Sequence, residues 1–313
     1  MCYHCQIVNI EAHDRPDSDM LWSVDATHAH CHFRKMAAKR QGMEKILSIQ
    51  STVAVGFVGN RVAVPVITRC GHYPIAVDTM QLAAHPGHGV IAGGPPPIDQ
   101  FSAILAALPQ LGIMGACSCV ITGYLGAVAQ IDPIATVLDH WRDARPAGQY
   151  ILDPVLGDNG RLYVSDGLVQ KMRAGLLPRA NYVTPNQFEL GLLADRPVAN
   201  SDDASAAAHQ LLDQHPQLQA VIATGISGDD GCVHDHFIGR DDAVSLAYAK
   251  RVAGIPGGGD LVTALFASHC ASGLSAHDSF VAASRTAHKI IDASTSHLDI
   301  ALLDHLDSVM PDA

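Results

Sequence analysis

Three successive glycines, Gly257, Gly258 and Gly259, stand directly before the acidic residue Asp260. Glycines allow a tight turn whose backbone can approach a ligand closely. Apolar residues with helical spacing follow, so the pattern predicts that Asp260 lies at or near the N-terminus of a helix, where free N–H groups and the helix dipole stabilise negative charge. A carboxylate there can take a proton from an attacking hydroxyl while the glycine amides hold phosphoryl oxygens. An aspartate that only caps a helix is consistent with the same pattern.

A second set of polar residues, Asp153, Asn186 and Glu189, follows two predicted strands. Asn186 ends one strand and Glu189 lies three residues on, in the first turn of a helix, so both can face one point that Asp153 reaches from the neighbouring strand. Oxygen ligands gathered in this way suit Mg²⁺, held partly through water. The alternative is an ordinary helix cap, in which Asn186 and Glu189 form a capping box.

Two further glycine-containing segments follow predicted strands. The segment Gly56-x-x-Gly59-Asn60 lacks the Lys-Ser/Thr ending of a P-loop and the third glycine of a dinucleotide fingerprint. We therefore interpret it as a turn that brings the next helix close beneath a substrate near Ser51. Residues 85–89 follow a strand that could edge a pocket, and they form either a substrate wall or an ordinary turn.

Short apolar strands alternate with helices from residue 45 onward, which predicts an α/β fold with a mostly parallel central sheet and helices on both faces. In such sheets, ligands bind beyond the carboxyl ends of the strands. A hairpin and two or three helices follow. The predicted strands are 46–50, 73–77, 117–122, 149–152, 181–184, 220–224, 233–237 and 243–249. The predicted helices are 60–69, 127–142, 166–173, 187–193 and 204–214, with further helices from 260 onward.

Composition limits the classes of partner. A net charge of −11 argues against a nucleic-acid binder, because phosphate contacts need clustered Lys and Arg. No apolar run reaches the length of a membrane span. The cysteines of the main body lie in apolar stretches and indicate buried, reduced thiols in a cytoplasmic protein.

The first 43 residues differ from the rest, because they hold five of the 18 histidines and three of the eight cysteines without a regular period. We predict a poorly structured N-terminal extension at 1–43 and a single domain at 44–313. The alternative is a zinc site built on Cys2, Cys5, His28, His30, Cys31 and His32, although the spacing matches no tight four-ligand pattern.

Eight short motifs, taken in their order along residues 45 to about 295, resemble the motifs of the pyridoxal kinases of the ribokinase-like superfamily. They are ILSIQS at 46–51, GFVGN at 56–60, HPGHG at 85–89, TGYLG at 122–126, DPVLG at 153–157, GRLYV at 160–164, TPNQFEL at 184–190 and GGGD at 257–260. The resemblance implies a ribokinase-like fold and transfer of the ATP γ-phosphate to the 5′-hydroxyl of pyridoxal. It also implies a homodimer.

The resemblance further implies roles for individual residues. Asp260 would be the catalytic base and the 257–259 amides the anion hole. The substrate-binding positions would be Ser51, Pro86, Gly87, Tyr124 and Asp260. The nucleotide-binding positions would be Asp153, Thr184, Glu189, Thr224, Gly257 and Gly259. The cofactors would be ATP, Mg²⁺ held by Asp153, Asn186 and Glu189 partly through water, and a monovalent cation such as K⁺.

The chain departs from its relatives at two places. Many of them carry Thr, Val or Ala where Gly258 stands, so the loop here keeps its amides but loses rigidity. Residues 85–89 replace a loop rich in Asn, His and Thr, which removes a threonine hydroxyl from the pocket and bears on vitamer preference. Two rival functions stay open: a hydroxymethylpyrimidine kinase on the same fold, and a vitamin-binding relative without turnover.

Overall fold

The computed structural model describes residues 43–228, 231–251 and 254–309, which belong to one compact unit. The predicted extension and the alternative zinc site lie outside these residues, apart from Met43. No helix in the described part of the chain is long and apolar enough to span a membrane.

A nine-stranded sheet forms the centre of the fold, in the order β11-β10-β9-β8-β5-β4-β1-β2-β3. Pairing is parallel from β2 across to β9 and antiparallel at both edges, which confirms the predicted mostly parallel sheet. The strands are β1 Lys45–Val53, β2 Tyr73–Leu82, β3 Gly93–Gly94, β4 Cys117–Thr122, β5 Gln149–Leu152, β8 Tyr182–Val183, β9 Ala220–Ser227, β10 Cys232–Gly239 and β11 Ala243–Ala249; β6 Gly157–Asp158 and β7 Arg161–Leu162 form a separate hairpin.

Helices cover both faces of the sheet, as predicted. They are α1 Asn60–Arg69, α2 Ile98–Ala107, α3 Ile131–Ala144, α4 Asp166–Gly175, α5 Gln187–Ala194, α6 Ser201–Gln214, α7 Gly258–Ala271 and α8 Ala276–Ala293. One core packs α2 to α6 against the sheet, and a second core packs α1, α7 and α8 against the other face. Neighbouring residues of a strand divide between the two cores, since Ile46 enters one and Leu47 the other. The interior strands are therefore buried on both faces, as parallel sheets require.

The spacing of apolar residues explains the orientation of the helices. On α3, Ile134, Leu138 and Trp141 are buried at helical spacing, and on α8 the same holds for Phe280 and Ala287. A stripe of this kind must face the core because burying it is the main source of stability.

The helix α2, the two-residue edge strand β3 and the hairpin β6–β7 were not predicted. The helix α2 follows directly on Pro97, and the preceding proline run favoured a loop. The hairpin β6–β7 has only two residues in each strand, too few for an apolar period. The first strand was also predicted too short, because β1 continues through Ser51 to Val53 with a register shift opposite β2.

Candidate active site

Asp260 is the third residue of α7, and Gly257 is the N-cap of that helix with a φ of 88°. The predicted position near a helix N-terminus is confirmed, whereas the alternative of an aspartate N-cap is wrong. The first turn of a helix leaves N–H groups without intrahelical partners. The N–H of Gly258 donates to the carbonyl oxygen of Ile255 at 3.4 Å, so the amides of Gly259 and Asp260 are better placed for a ligand.

The carboxyl group of Asp260 meets the glycine turn that precedes α1. Burial raises its pKa, and the backbone N–H of Gly59 acts in the opposite direction. Gly59 has a φ of 54°, and a Cβ there would overlap the carbonyl oxygen of Ser51. The turn therefore brings the predicted substrate residue Ser51 and the predicted base Asp260 to the same place, which agrees with our interpretation of residues 56–60.

A cavity of about 890 Å³ opens beside Asp260. Every residue predicted for the nucleotide or the metal lines it: Asp153, Thr184, Asn186, Glu189, Thr224, Gly257 and Gly259. The other two catalytic candidates, Gly258 and Asp260, line it as well. They come from the ends of separate strands and from the start of α7. Residues that follow separate strands thus meet at one cavity, while the role of each residue stays a prediction.

Asp153 is buried and belongs to a short chain of hydroxyl groups. Thr263 donates its hydroxyl proton to Oδ2 of Asp153 at 3.0 Å, and the hydroxyls of Thr184 and Thr263 lie 2.9 Å apart. The pKa of Asp153 is raised well above its ordinary value by burial and then by the negative charges of Asp260 and Glu189. Sequence reasoning missed Thr263, although it lies one helical turn after Asp260 on the same face of α7.

The side chains of Asn186 and Glu189 form the capping box that was the alternative interpretation. Oδ1 of Asn186 accepts from the N–H of Glu189 at 3.0 Å, and Oε2 of Glu189 accepts from the N–H of Asn186 at 3.0 Å. Oε1 of Glu189 accepts from Leu156 N at 2.8 Å and from Gly157 N at 3.4 Å, which anchors the hairpin β6–β7.

The side chains predicted to bind Mg²⁺ suit this ion, but not all of them are free to contact it directly. The buried carboxyl groups of Glu189 and Asp260 both lie close enough to Asp153 to raise its pKa, and a divalent cation would offset the charge of the three groups. Both oxygens of Glu189 already accept backbone N–H groups, so its contact with the ion would run through water. Asp153 is the better direct ligand.

We expect the burial of Glu189 to make the stability of the protein depend on pH. Burial raises its pKa to about 7 from the ordinary 4.5, so the folded chain keeps a proton that the unfolded chain releases between these values. The free energy of unfolding therefore falls as pH rises through that window, by about 3 kcal/mol. We expect Glu189→Gln to abolish this part of the pH dependence in urea unfolding between pH 5 and 8. Glu44→Gln, at a partly solvated position, is the control, and an unchanged slope in Glu189→Gln would contradict the assignment.

Apart from Asp260, the predicted substrate residues lie at the carboxyl ends of three adjacent strands, β1, β2 and β4. Ser51 is buried in β1, Tyr124 is half-buried just after β4, and Pro86 and Gly87 are exposed after β2. They do not line the 890 Å³ cavity. Asp260 thus contacts both groups: it lines the cavity itself, and the turn at Gly59 joins it to Ser51.

The histidines of the 85–89 segment hold this segment to the C-terminal part of the chain. Nδ1 of His85 accepts from the N–H of Gly87 at 3.1 Å, so its Nε2 donates to the carbonyl oxygen of Leu298 at 2.6 Å. His88 lies 3.3 Å from Asp299. His85, His88 and Asp299 are close enough together to suggest a metal site, but both ring nitrogens of His85 are engaged.

Gly258 is the position at which the resemblance led us to expect a less rigid glycine run. Its φ is not positive, and a Cβ there would meet only the flexible tip of Ile291, at 3.2 Å. We expect Gly258→Ala to raise the free energy of unfolding by about 0.5 kcal/mol, because the unfolded chain loses entropy. A stiffer loop should also raise kcat, measured under saturating substrates. A stabilised variant with a lower kcat would show that the flexible glycine aids turnover.

The fold and the site define a ribokinase-like ATP-dependent kinase. A family model described as phosphomethylpyrimidine kinase matches residues 103–301. A pyridoxine/pyridoxal/pyridoxamine kinase of Bordetella avium is 35% identical over 258 residues, which cover 80% of this chain and 85% of the relative. A pyridoxal kinase of Rubrobacter xylanophilus is 35% identical over 72% of this chain and 78% of its own length. The chain belongs to the pyridoxal kinase family.

A solved structure supports the fold assignment. The pyridoxal kinase of Entamoeba histolytica superimposes with a TM-score of 0.80 at 23% identity, covering 85% of this chain and 95% of that one. The expected ribokinase-like fold is confirmed by this similarity.

Proposed function

We propose that this chain transfers the γ-phosphate of ATP to the 5′-hydroxyl of pyridoxal and so produces pyridoxal 5′-phosphate. The observation that carries the proposal is the position of Asp260, between the carboxylate-lined cavity and the turn that contacts Ser51. The names of the relatives that are 35% identical supply the substrate class.

In this mechanism, the 5′-hydroxyl lies in line with the γ-phosphorus and Asp260 takes its proton. The hydroxyl oxygen forms a bond to phosphorus as the bond to the bridging oxygen breaks, and ADP leaves. The first-turn amides of α7, at Gly259 and Asp260, donate to the phosphoryl oxygens, and the helix dipole favours the charge there. Mg²⁺, held by Asp153 and through water by Asn186 and Glu189, would neutralise phosphate charge.

Substrate and nucleotide bind on the two sides of Asp260 in this proposal. Ser51, Tyr124, Pro86 and Gly87 contact the vitamer. Asp153, Thr184, Glu189, Thr224, Gly257 and Gly259 contact ATP or its Mg²⁺. A monovalent cation such as K⁺, a homodimeric state, a cytoplasmic location and a catalytic domain at 44–313 belong to the same proposal.

A coupled assay of ADP release tests the activity. The protein is given ATP with pyridoxal, pyridoxine, pyridoxamine or hydroxymethylpyrimidine, and we expect the highest kcat/KM with pyridoxal. The description of the matching family model favours a second candidate, a pyrimidine kinase, which a preference for hydroxymethylpyrimidine would support. Binding of pyridoxal without any ADP release would mean a vitamin-binding protein without turnover.

A further inference from the structure

Residues 298–300 follow the helix α8 and return to the site, and we call them the C-terminal brace. Its course is shaped by Oγ of Ser296, which accepts from the N–H of Leu298 at 3.0 Å and from the N–H of Asp299 at 3.3 Å. Ile300 is only 1% exposed and belongs to the core that packs α1, α7 and α8. The brace meets the site at three neighbouring places.

The first place is the predicted substrate wall at residues 85–89. The carbonyl oxygen of Leu298 accepts from Nε2 of His85 at 2.6 Å. Oδ2 of Asp299 lies 3.3 Å from Nε2 of His88. The two histidines flank the two residues that are predicted to contact the vitamer. Since the short segment is attached to the brace on both sides of those residues, the brace restrains the wall.

The second place is the glycine turn that precedes α1. Oδ1 of Asp299 accepts from the N–H of Phe57 at 3.1 Å. Gly56 has a φ of 96°, and a Cβ there would overlap the same carboxylate oxygen, so only a glycine lets the carboxylate approach. Gly59 of this turn contacts both the predicted base and the predicted substrate serine. Asp299 is therefore joined to the turn on which both groups depend.

The third place is the start of α7. A Cβ on Gly257 would lie 3.5 Å from Cδ1 of Ile300 and would overlap the carbonyl oxygen of Phe57. Phe57 is thus fixed on two sides, because its N–H donates to Asp299 and its carbonyl group lies against Gly257. Loss of the bond to Asp299 would leave the turn held on one side only.

We propose that Asp299 is a positioning residue for the phosphate acceptor. It acts through Phe57 and His88, and it keeps the glycine turn and the substrate wall in the arrangement that binds the vitamer. This inference rests on the proposed function. Asp299, Phe57 and His88 do not line the 890 Å³ cavity assigned to ATP. The effect of Asp299 should therefore fall on the acceptor and spare the nucleotide.

The test compares Asp299→Ala, which removes the acceptor, with Asp299→Asn, which keeps an oxygen for the N–H of Phe57. We expect Asp299→Ala to raise the KM for pyridoxal roughly 10-fold, with the KM for ATP within about twofold of the wild type. Its kcat should stay within about threefold, because saturating pyridoxal restores the arrangement. Asp299→Asn should bring the KM for pyridoxal back to within about threefold. Asp304→Ala, at an exposed position nearby, is the matched control and should keep both KM values.

Three results would overturn the positioning role: an unchanged KM for pyridoxal in Asp299→Ala, an equal rise in both KM values, or an Asp299→Asn protein as poor as Asp299→Ala. Thermal unfolding checks that the variants fold. If Asp299→Ala does not fold, His88→Ala, which removes one link between the wall and the brace, should raise the KM for pyridoxal about threefold. An unchanged value there would also overturn the proposal.

Hydrogen exchange at the amide of Phe57 separates this inference from the proposed function, because it needs no substrate. Exchange should be about 10-fold faster in Asp299→Ala and within about threefold of the wild type in Asp299→Asn. Equal exchange in the wild type and Asp299→Ala would overturn the brace. The expected exchange pattern in a protein that releases no ADP with pyridoxal would contradict the proposed function alone.

Discussion

Asp260→Asn is expected to lower kcat by about 10²- to 10⁴-fold, the usual contribution of a positioned general base. The amide has nearly the same shape, so it preserves the start of α7 while removing the group that accepts the proton of the hydroxyl. Steady-state rates of ADP release with saturating ATP and pyridoxal measure the loss. Because catalysis needs the ionised carboxylate and burial raises its pKa, kcat/KM of the wild type should increase with pH through a range above that of an ordinary aspartate.

The control is Asp213→Asn, at an exposed position near the end of α6. It should keep the wild-type kcat. ATP binding to Asp260→Asn, measured by calorimetry with Mg²⁺ present, should persist because the cavity keeps the first-turn amides and the carboxylates proposed to hold Mg²⁺. Wild-type turnover in Asp260→Asn would remove this residue as the base and leave it a structural residue of the helix N-terminus.

Gly257→Ala is expected to be the second most damaging change, with a loss in kcat of about 10²- to 10³-fold, comparable to removing an oxyanion donor. Gly257 has a φ of 88°, and a Cβ there would overlap the carbonyl oxygen of Phe57. The backbone carbonyl of Phe57 cannot move aside as the tip of a flexible side chain can. The turn must shift, and it carries the first-turn amides and Asp260 with it.

Gly112→Ala separates backbone strain from displacement of the site. Gly112 also has a positive φ, of 66°, but a Cβ there meets nothing within 4 Å, and the residue lies outside the cavity. Both variants should lose stability in urea unfolding, by about 1 kcal/mol or more. Only Gly257→Ala should lose kcat. Equal kcat in the two variants would mean that the position of the first-turn amides does not limit the reaction.

A site residue could be predicted from the sequence when its type suited the chemistry and it stood directly at the end of a predicted strand or the start of a predicted helix. Asp260 after three glycines, and Asn186 and Glu189 at a helix start, were located in this way. Thr263 was missed because its hydroxyl matters only through contacts with residues 79 and 110 positions away in the chain. Asp235, which also lines the cavity, was passed over because it lies between His234 and His236 in an ordinary strand.

The sequence alone was enough to predict the fold and the family. The fold follows from the local periods of apolar residues, and the family follows from the order and spacing of the short motifs at the strand ends and at the Asp260 turn. The tertiary structure decided what each side chain does there. It made Gly257 the helix cap in place of Asp260, committed the oxygens of Glu189 to backbone N–H groups, and joined Thr263 to Asp153 by a hydrogen bond. These outcomes depend on which distant groups compete for the same donors and acceptors, and only the folded chain brings those groups together.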